Sequence, residues 1–169
     1  EKRLERELKD LRMEHARVRI AVEQETGADG PQLTSTGSDR VEFLFSSNLG
    51  EALQPLARIA SGGELSRVML AMKTVLAEQD RVPVLVFDEV DAGIGGAVSE
   101  VVGKRLRDLS GHGHQVFCIT HLAPIAAQAQ RHFSVAKAVK SGRTVTQVER
   151  LDKAGRVEEV ARMLGGEKI

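Results

Sequence analysis

The chain has 169 residues, enough for one domain with its own core and short for two. Its 24 Lys and Arg balance 24 Asp and Glu, so the net positive field of most stand-alone nucleic-acid binders is missing, and any contact with DNA has to be local or supplied from elsewhere. The single cysteine, Cys118, excludes an internal disulfide and suits a reducing, cytoplasmic compartment; no apolar run approaches the ~20 residues of a bilayer span, so no membrane partner is expected.

The sequence opens as the interior of a helix, without Met or an N-cap, and reads as a piece of a longer chain. Leu4, Leu8, Leu11, His15, Val18 and Val22 recur at spacings of four and three, the seam of a coiled coil that needs a partner helix and is otherwise an open apolar surface. From Arg17 onward "RVRIAVE" alternates with strand period. The two patterns compete over Val18 and Val22, and the balance predicts a helix to about Ala16 with a strand after it. "TGADGPQLTSTGSD" (26–39) is a turn-rich loop, and "RVEFLFSS" after it alternates as a half-buried strand.

Leu65, Val68, Met69, Met72, Val75 and Leu76 form a helical stripe running to about Gln79. "PVLVF" is a continuous apolar run of the kind buried on both faces of a parallel sheet. A helix over Val98 to Leu109 and a second buried strand, "QVFCIT", complete a βαβ unit. A short helix near Ile125 to Gln130 follows, then "FSVAKAV" and "TVTQVERL" as a hairpin turning at "KSGR". "RVEEVARML" makes a last helix stopped by Gly165 and Gly166.

Three stretches carry chemistry. Ser61 and Glu64 in "SGGELSR" make a capping box, which explains both residues but not Gly62 and Gly63. Two residues without Cβ at a helix start allow a phosphate to approach free N–H donors. In "VLVFDEVDAG" a buried strand delivers Asp88 and Glu89 at its C-terminal end, where an aspartate can serve a magnesium shell and a glutamate can orient or deprotonate an attacking water. His121 stands in the same way after "QVFCIT", within reach of a terminal phosphate. Alone, each has a plain structural explanation: a cap, a polar strand end, a loop histidine. Arg67 reads as an exposed charge, His112 and His114 of "GHGH" as a mobile loop without the acidic or Cys neighbours of a metal site, and His132 is given no role.

In this order, "SGGELSR", "VLVFDE" and "ITH" resemble the signature motif, the magnesium-binding strand with its catalytic glutamate, and the switch histidine of the ATP-binding-cassette ATPases. "FLFSSNLGEALQPLARIASGGELSRVMLAMK", "VFDEVDAGIGG", "ITHLAPIAAQA" and "VEEVARMLGG" resemble the SMC-like DNA-repair ATPases of bacteria across nearly the whole chain. "IGG" stands where that family often has Ile-Ser-Gly, and "THLAP" where Thr-His-Leu-Pro-Gln is common. The phosphate-binding loop is missing: its nearest approach, "VSEVVGKR", has Val98 and Arg105 at defining positions and lies inside a predicted helix.

The resemblance implies an α/β fold: the C-terminal lobe of a split ABC/SMC-type P-loop ATPase head, with residues 1–16 the end of a coiled-coil helix and 17–169 the lobe. It implies ATP and Mg2+, with Ser61 and Gly63 capping the terminal phosphate of an ATP held by the opposite subunit, Gly62 and Glu64 in the same motif, Asp88 serving magnesium, Glu89 activating water, His121 contacting the terminal phosphate, and Asp91 touching the opposite subunit. The implied partners are the N-terminal lobe of the same protein, a second head in a homodimer closed on ATP, and DNA through the full-length protein, in double-strand-break repair by recombination at the nucleoid. The isolated chain is then expected to be inactive. Two rivals are a transporter's nucleotide-binding part, opposed by Glu64 where transporters have Gln and by the heptad stub, and a dimerisation module with a decayed ATPase, opposed by Glu89.

Overall fold

The structure, a computed structural model, describes residues 1–27, 30–59, 61–140 and 142–165, with only the backbone of Gly27 and Pro31. The chain forms two compact units, Glu1–Arg81 and Val82–Ile169.

The first unit contains α1 (Lys2–Asp10), β1 (Arg17–Gln24), the short β2 (Thr26–Gly27) and β3 (Gly30–Pro31), β4 (Asp39–Ser46), β5 (Gln54–Pro55), a 3-10 turn at Leu56–Arg58, and α2 (Gly62–Leu76). Strand β4 lies between β1 and β5, antiparallel to both. The register sets Val18 opposite Phe45, Ile20 opposite Phe43 and Val22 opposite Val41. This apolar face is buried at the Val18 and Phe45 end and exposed at the Val22 and Val41 end.

Helix α1 ends six residues before the periodicity predicts. Arg12 adopts a left-handed φ of 64°, its N–H donates to the Lys9 carbonyl at 3.1 Å and the Met13 N–H to the Leu8 carbonyl at 3.0 Å. This is a Schellman stop, with Met13 and Leu8 both buried as its hydrophobic pair. Glycine normally signals such a stop; here an arginine occupies the position, so the sequence gives no warning.

The open seam is also corrected. Leu4, Leu8 and Leu11 are buried because α1 packs on α2 of the same chain, whose Val68, Leu70 and Ala71 are buried in turn. Two glutamates of α1 reach the outer edge of β1: Glu5 Oε1 accepts the Val18 N–H at 3.0 Å and Glu1 Oε1 accepts the Ile20 N–H at 2.9 Å. The spacings match, since four helical residues rise about 6 Å and two strand residues about 6.8 Å.

The second unit contains β6 (Val84–Phe87), α3 (Ala97–Gly111), β7 (Gln115–Cys118), α4 (Ala123–Gln128), β8 (Phe133–Lys140), β9 (Arg143–Arg150) and α5 (Lys153–Met163). Strands β6 and β7 are parallel neighbours joined through α3, the predicted βαβ unit. They are not buried on both faces. Leu85 and Phe87 are buried, while Val84, Val86, Phe117 and Ile119 on the other side are 45 to 64 % exposed. A sheet face of this composition needs a covering layer, and among the described residues none covers these four side chains.

Helix α3 carries Val102, Leu106 and Leu109 into the core and includes all of "VSEVVGKR". Its Gly103 permits a close approach of α4: a Cβ there would stand 2.9 Å from Gln128 Cγ and 3.2 Å from both Ile125 Cα and the Pro124 oxygen. The β8–β9 hairpin pairs from Phe133 opposite Arg150 to Lys140 opposite Arg143; Ser141 of its turn lies outside the described residues. Helix α5 is capped by Asp152, whose Oδ1 accepts the Gly155 N–H at 2.8 Å. Its predicted stop falls at Gly165, φ 89°, with Gly166 outside the described residues.

Candidate functional site

In the first unit, Ser61 is the N-cap of α2, and its hydroxyl accepts the Glu64 N–H at 3.4 Å. The first intrahelical bond runs from Leu65 to the Ser61 carbonyl. The Gly62 and Gly63 N–H groups therefore belong to the first turn, where no helical carbonyl precedes them. Gly62 is exposed and Gly63 buried, so the helix offers its positive end through the outer glycine while the inner one fits into the unit. Arg67 is not the exposed charge expected: it is partly covered, and burial lowers its pKa against the raising effect of Glu64.

In the second unit, the C-terminal ends of β6 and β7 lie side by side, with Phe87 opposite Cys118 and the Ile119 N–H continuing the ladder to the Phe87 carbonyl at 3.0 Å. Asp88 and Glu89 follow one end, Thr120 and His121 the other. Asp88 Oδ1 accepts the Glu89 N–H at 2.9 Å. Glu89 has φ 56°, a left-handed conformation that a non-glycine residue rarely adopts. It is held there by the fully buried Val90 and by a turn bond from the Ala92 N–H to the Glu89 carbonyl at 3.0 Å. Backbone strain of this kind persists where the surroundings over-determine it, and it gathers at functional sites. Here it turns an exposed residue out from the C-terminal end of β6.

Asp91 is 4 % exposed, and its carboxylate is taken up inside its own unit. Oδ2 accepts the Thr120 hydroxyl at 2.5 Å and the His121 backbone N–H at 3.1 Å, and lies 3.2 Å from His121 Nδ1. Thr120 Oγ1 also accepts the Leu122 N–H at 3.0 Å. Sequence reading passed over Thr120. Its position immediately before the histidine in "ITH" was the available signal.

Cys118 lies among these groups without reactivity. Burial first, then the charges of Asp91 and Asp88, push its thiol up to about 12, so it stays a neutral apolar filler. The two histidines of "GHGH" do not form a pair in a mobile loop. His112 ends α3, its Nδ1 2.9 Å from the Asp108 carbonyl, whereas His114 is buried with Nδ1 2.7 Å from the Val82 carbonyl. Among the described residues, no cluster of three or more His, Cys, Asp or Glu is placed to hold a metal, and no helix is long and apolar enough to cross a membrane.

No family model matches the chain. Curated relatives do. The chain is 44 % identical over 169 residues to the DNA repair protein RecN of Vibrio cholerae, covering all of this chain and 30 % of that protein. It is 43 % identical over 176 residues to the DNA repair protein RecN of Bacillus subtilis, covering 98 % of this chain and 30 % of that protein. The chain thus spans about a third of the length of these relatives. Among solved structures, an Smc head domain with a coiled coil and joint from Pyrococcus yayanosii superposes with a TM-score of 0.62 at 20 % identity, over 95 % of this chain and 28 % of that one. A second, from work on the ATP-driven dimerization and DNA-stimulated activation of SMC ATPases, gives 0.53 at 18 % identity over 99 % of this chain and 92 % of that one. The fold is that of an SMC head.

Proposed function

The chain is homologous to the RecN repair proteins along its whole length, and from that premise we propose that it is the C-terminal lobe of a split, SMC-like ATPase head serving DNA double-strand-break repair by recombination at the nucleoid. In this reading residues 1–16 bring a coiled coil back into the head and 17–169 form the lobe. The lobe lacks a phosphate-binding loop and takes one from the N-terminal lobe of the same protein. The observation that carries the reading is the pair of adjacent strand ends, with Asp88 and Glu89 on one and His121 on the other. The bare apolar face of β6 and β7 supports it, because a covering layer from another lobe accounts for Val84, Val86, Phe117 and Ile119.

Each residue then has a task. The exposed first turn of α2, with Ser61, Gly62, Gly63 and Glu64, meets the ATP bound by a second head, so that two heads close as a homodimer on nucleotide. Asp88 fits magnesium: the ion is commonly held by one or two carboxylates together with substrate phosphates and water, so a single strand-end carboxylate suffices from this chain. When bound, magnesium supplies charge neutralisation on the phosphates. The carboxylate of Glu89 orients the attacking water and takes its proton. His121 contacts the terminal phosphate. Balanced charge leaves DNA contacts to the full-length protein.

The test is ATP hydrolysis by this chain alone and after co-expression with the N-terminal lobe, with and without DNA. Turnover only in the assembled pair, lost on Glu89→Gln, is expected. Robust turnover by the chain alone would refute the borrowed phosphate loop. Unchanged turnover of the assembled Glu89→Gln protein would refute the mechanism and favour the dimerisation-module reading.

A further inference from the structure

We propose that Asp91, with Thr120, is a positioning residue that fixes the tautomer and direction of the His121 ring; the proposal rests on the reading of His121 as a phosphate-contacting residue. The Asp91 side chain is 5 % exposed while that of His121 is 76 % exposed, so the ring is anchored at one edge and presented at the other. A buried carboxylate is tolerated only with donors around it, and here one oxygen gathers the Thr120 hydroxyl, the His121 backbone N–H and the His121 ring nitrogen Nδ1 at 2.5, 3.1 and 3.2 Å.

The same contacts hold the ring and the backbone that carries it. The Thr120 hydroxyl gives its proton to Asp91 and takes the Leu122 N–H on its free lone pair, so the loop after β7 is tied at three successive residues. Asp91 stands three residues after Asp88, which makes it a cross-link between the ends of β6 and β7. A carboxylate oxygen only accepts, so its approach to 3.2 Å from Nδ1 favours a proton on that nitrogen. A neutral ring is then the Nδ1–H tautomer, with Nε2 the only ring nitrogen left for a ligand. Carboxylate partners fix histidine tautomers in this way in catalytic triads and around metals.

The test is 15N NMR of the assembled head labelled with 15N-histidine, the His121 signals being identified by their loss in His121→Gln. The neutral His121 ring is expected to carry its proton on Nδ1. In Asp91→Asn the proton shifts to Nε2, and kcat for ATP falls by about tenfold or more with KM little changed. Thr120→Ser retains the wild-type signature and rate, while Thr120→Val, which leaves the carboxylate in place, shifts part of the ring population and serves if Asp91→Asn fails to fold. A proton on Nε2 in the unaltered protein, an Asp91→Asn ring like the wild type, or a shifted tautomer with unaltered kcat would each overturn the proposal. If His121→Gln itself turned over ATP normally, the reading of His121 would fail while the tautomer result stood by itself.

Discussion

Replacing Gly103 and Gly111, two glycines of the same helix, separates packing from helix propensity. Both lie in α3, and neither has a left-handed backbone. Around Gly111 a new Cβ meets nothing within 4 Å, whereas at Gly103 it meets Gln128 Cγ at 2.9 Å and two backbone atoms of α4 at 3.2 Å. The flexible Gln128 can swing away. The α4 backbone cannot, since its N-terminal turn is fixed by bonds from Ile125 and Ala126 to the Leu122 carbonyl. Ala in place of Gly gains about 0.4–1 kcal/mol by restricting the unfolded chain, so Gly111→Ala should stabilise by up to that amount. At Gly103 the same gain is set against an overpacking cost of about 1–3 kcal/mol, leaving a net loss of roughly 0–2.5 kcal/mol. The two variants should therefore differ by about 1–3 kcal/mol, or roughly 2–12 °C in Tm at 2–4 °C per kcal/mol for a chain of this size. Thermal and urea unfolding in parallel measure the difference. A Gly103→Ala protein as stable as Gly111→Ala would refute the inference that α3 and α4 touch through that glycine.

Leu8, with no exposed surface, should cost about 2–5 kcal/mol on truncation to Ala; a urea midpoint within 1 kcal/mol of wild type, on the scale of an exposed site, would return α1 to the status of a solvent-facing spoke. Glu89→Gly should release about 1–2 kcal/mol of left-handed strain, offset by about 0.4–1 kcal/mol of unfolded-state entropy, so the variant is slightly more stable while ATP turnover by the assembled head is lost; a less stable variant would show that the turn is unstrained. The native Cys118 thiol, raised from 9.0 to about 12, should react with a disulfide reagent at pH 8 about a thousandfold more slowly than an ordinary thiol, because three pH units of thiolate are missing, and denaturant should restore the rate. Linkage gives the sign of its effect on stability: the folded thiol keeps its proton longer than the unfolded one, so its contribution is intact below pH 9.0 and is lost as the pH rises toward about 12. Cys118→Ala should flatten that alkaline decline.

The βαβ unit and the hairpin were legible because their periods are unambiguous: "PVLVF" and "QVFCIT" contain β6 and β7, which run over Val84–Phe87 and Gln115–Cys118, the second ending two residues short of the apolar run. The capping box of Ser61 was equally plain, and the side-chain bond to Glu64 is present. What escaped was set by partners outside each stretch. A run of apolar residues does not tell one face from two, so the exposure of Val86 at 64 % was invisible. The end of α1 rests on Arg12 at a position where glycine is the usual signal. The heptad leucines call for a partner helix, but only packing tells that α2 of the same chain covers them. Motif position marks Asp91 as a site residue, and only the folded distances show that Thr120 and His121 take up its carboxylate.

The glutamates of α1 that take the Val18 and Ile20 N–H groups also decide how this lobe behaves in solution. An edge strand with unpaired N–H groups is a template for another chain, and β1 is an edge strand of its sheet. A chain begun at Arg17 would uncover that edge together with the side of α2 that shelters Leu4 and Leu8. Strand-to-strand assembly between copies would follow. The first ten residues thus cover both a strand edge and a helix face, and a shortened form without them would expose the two together.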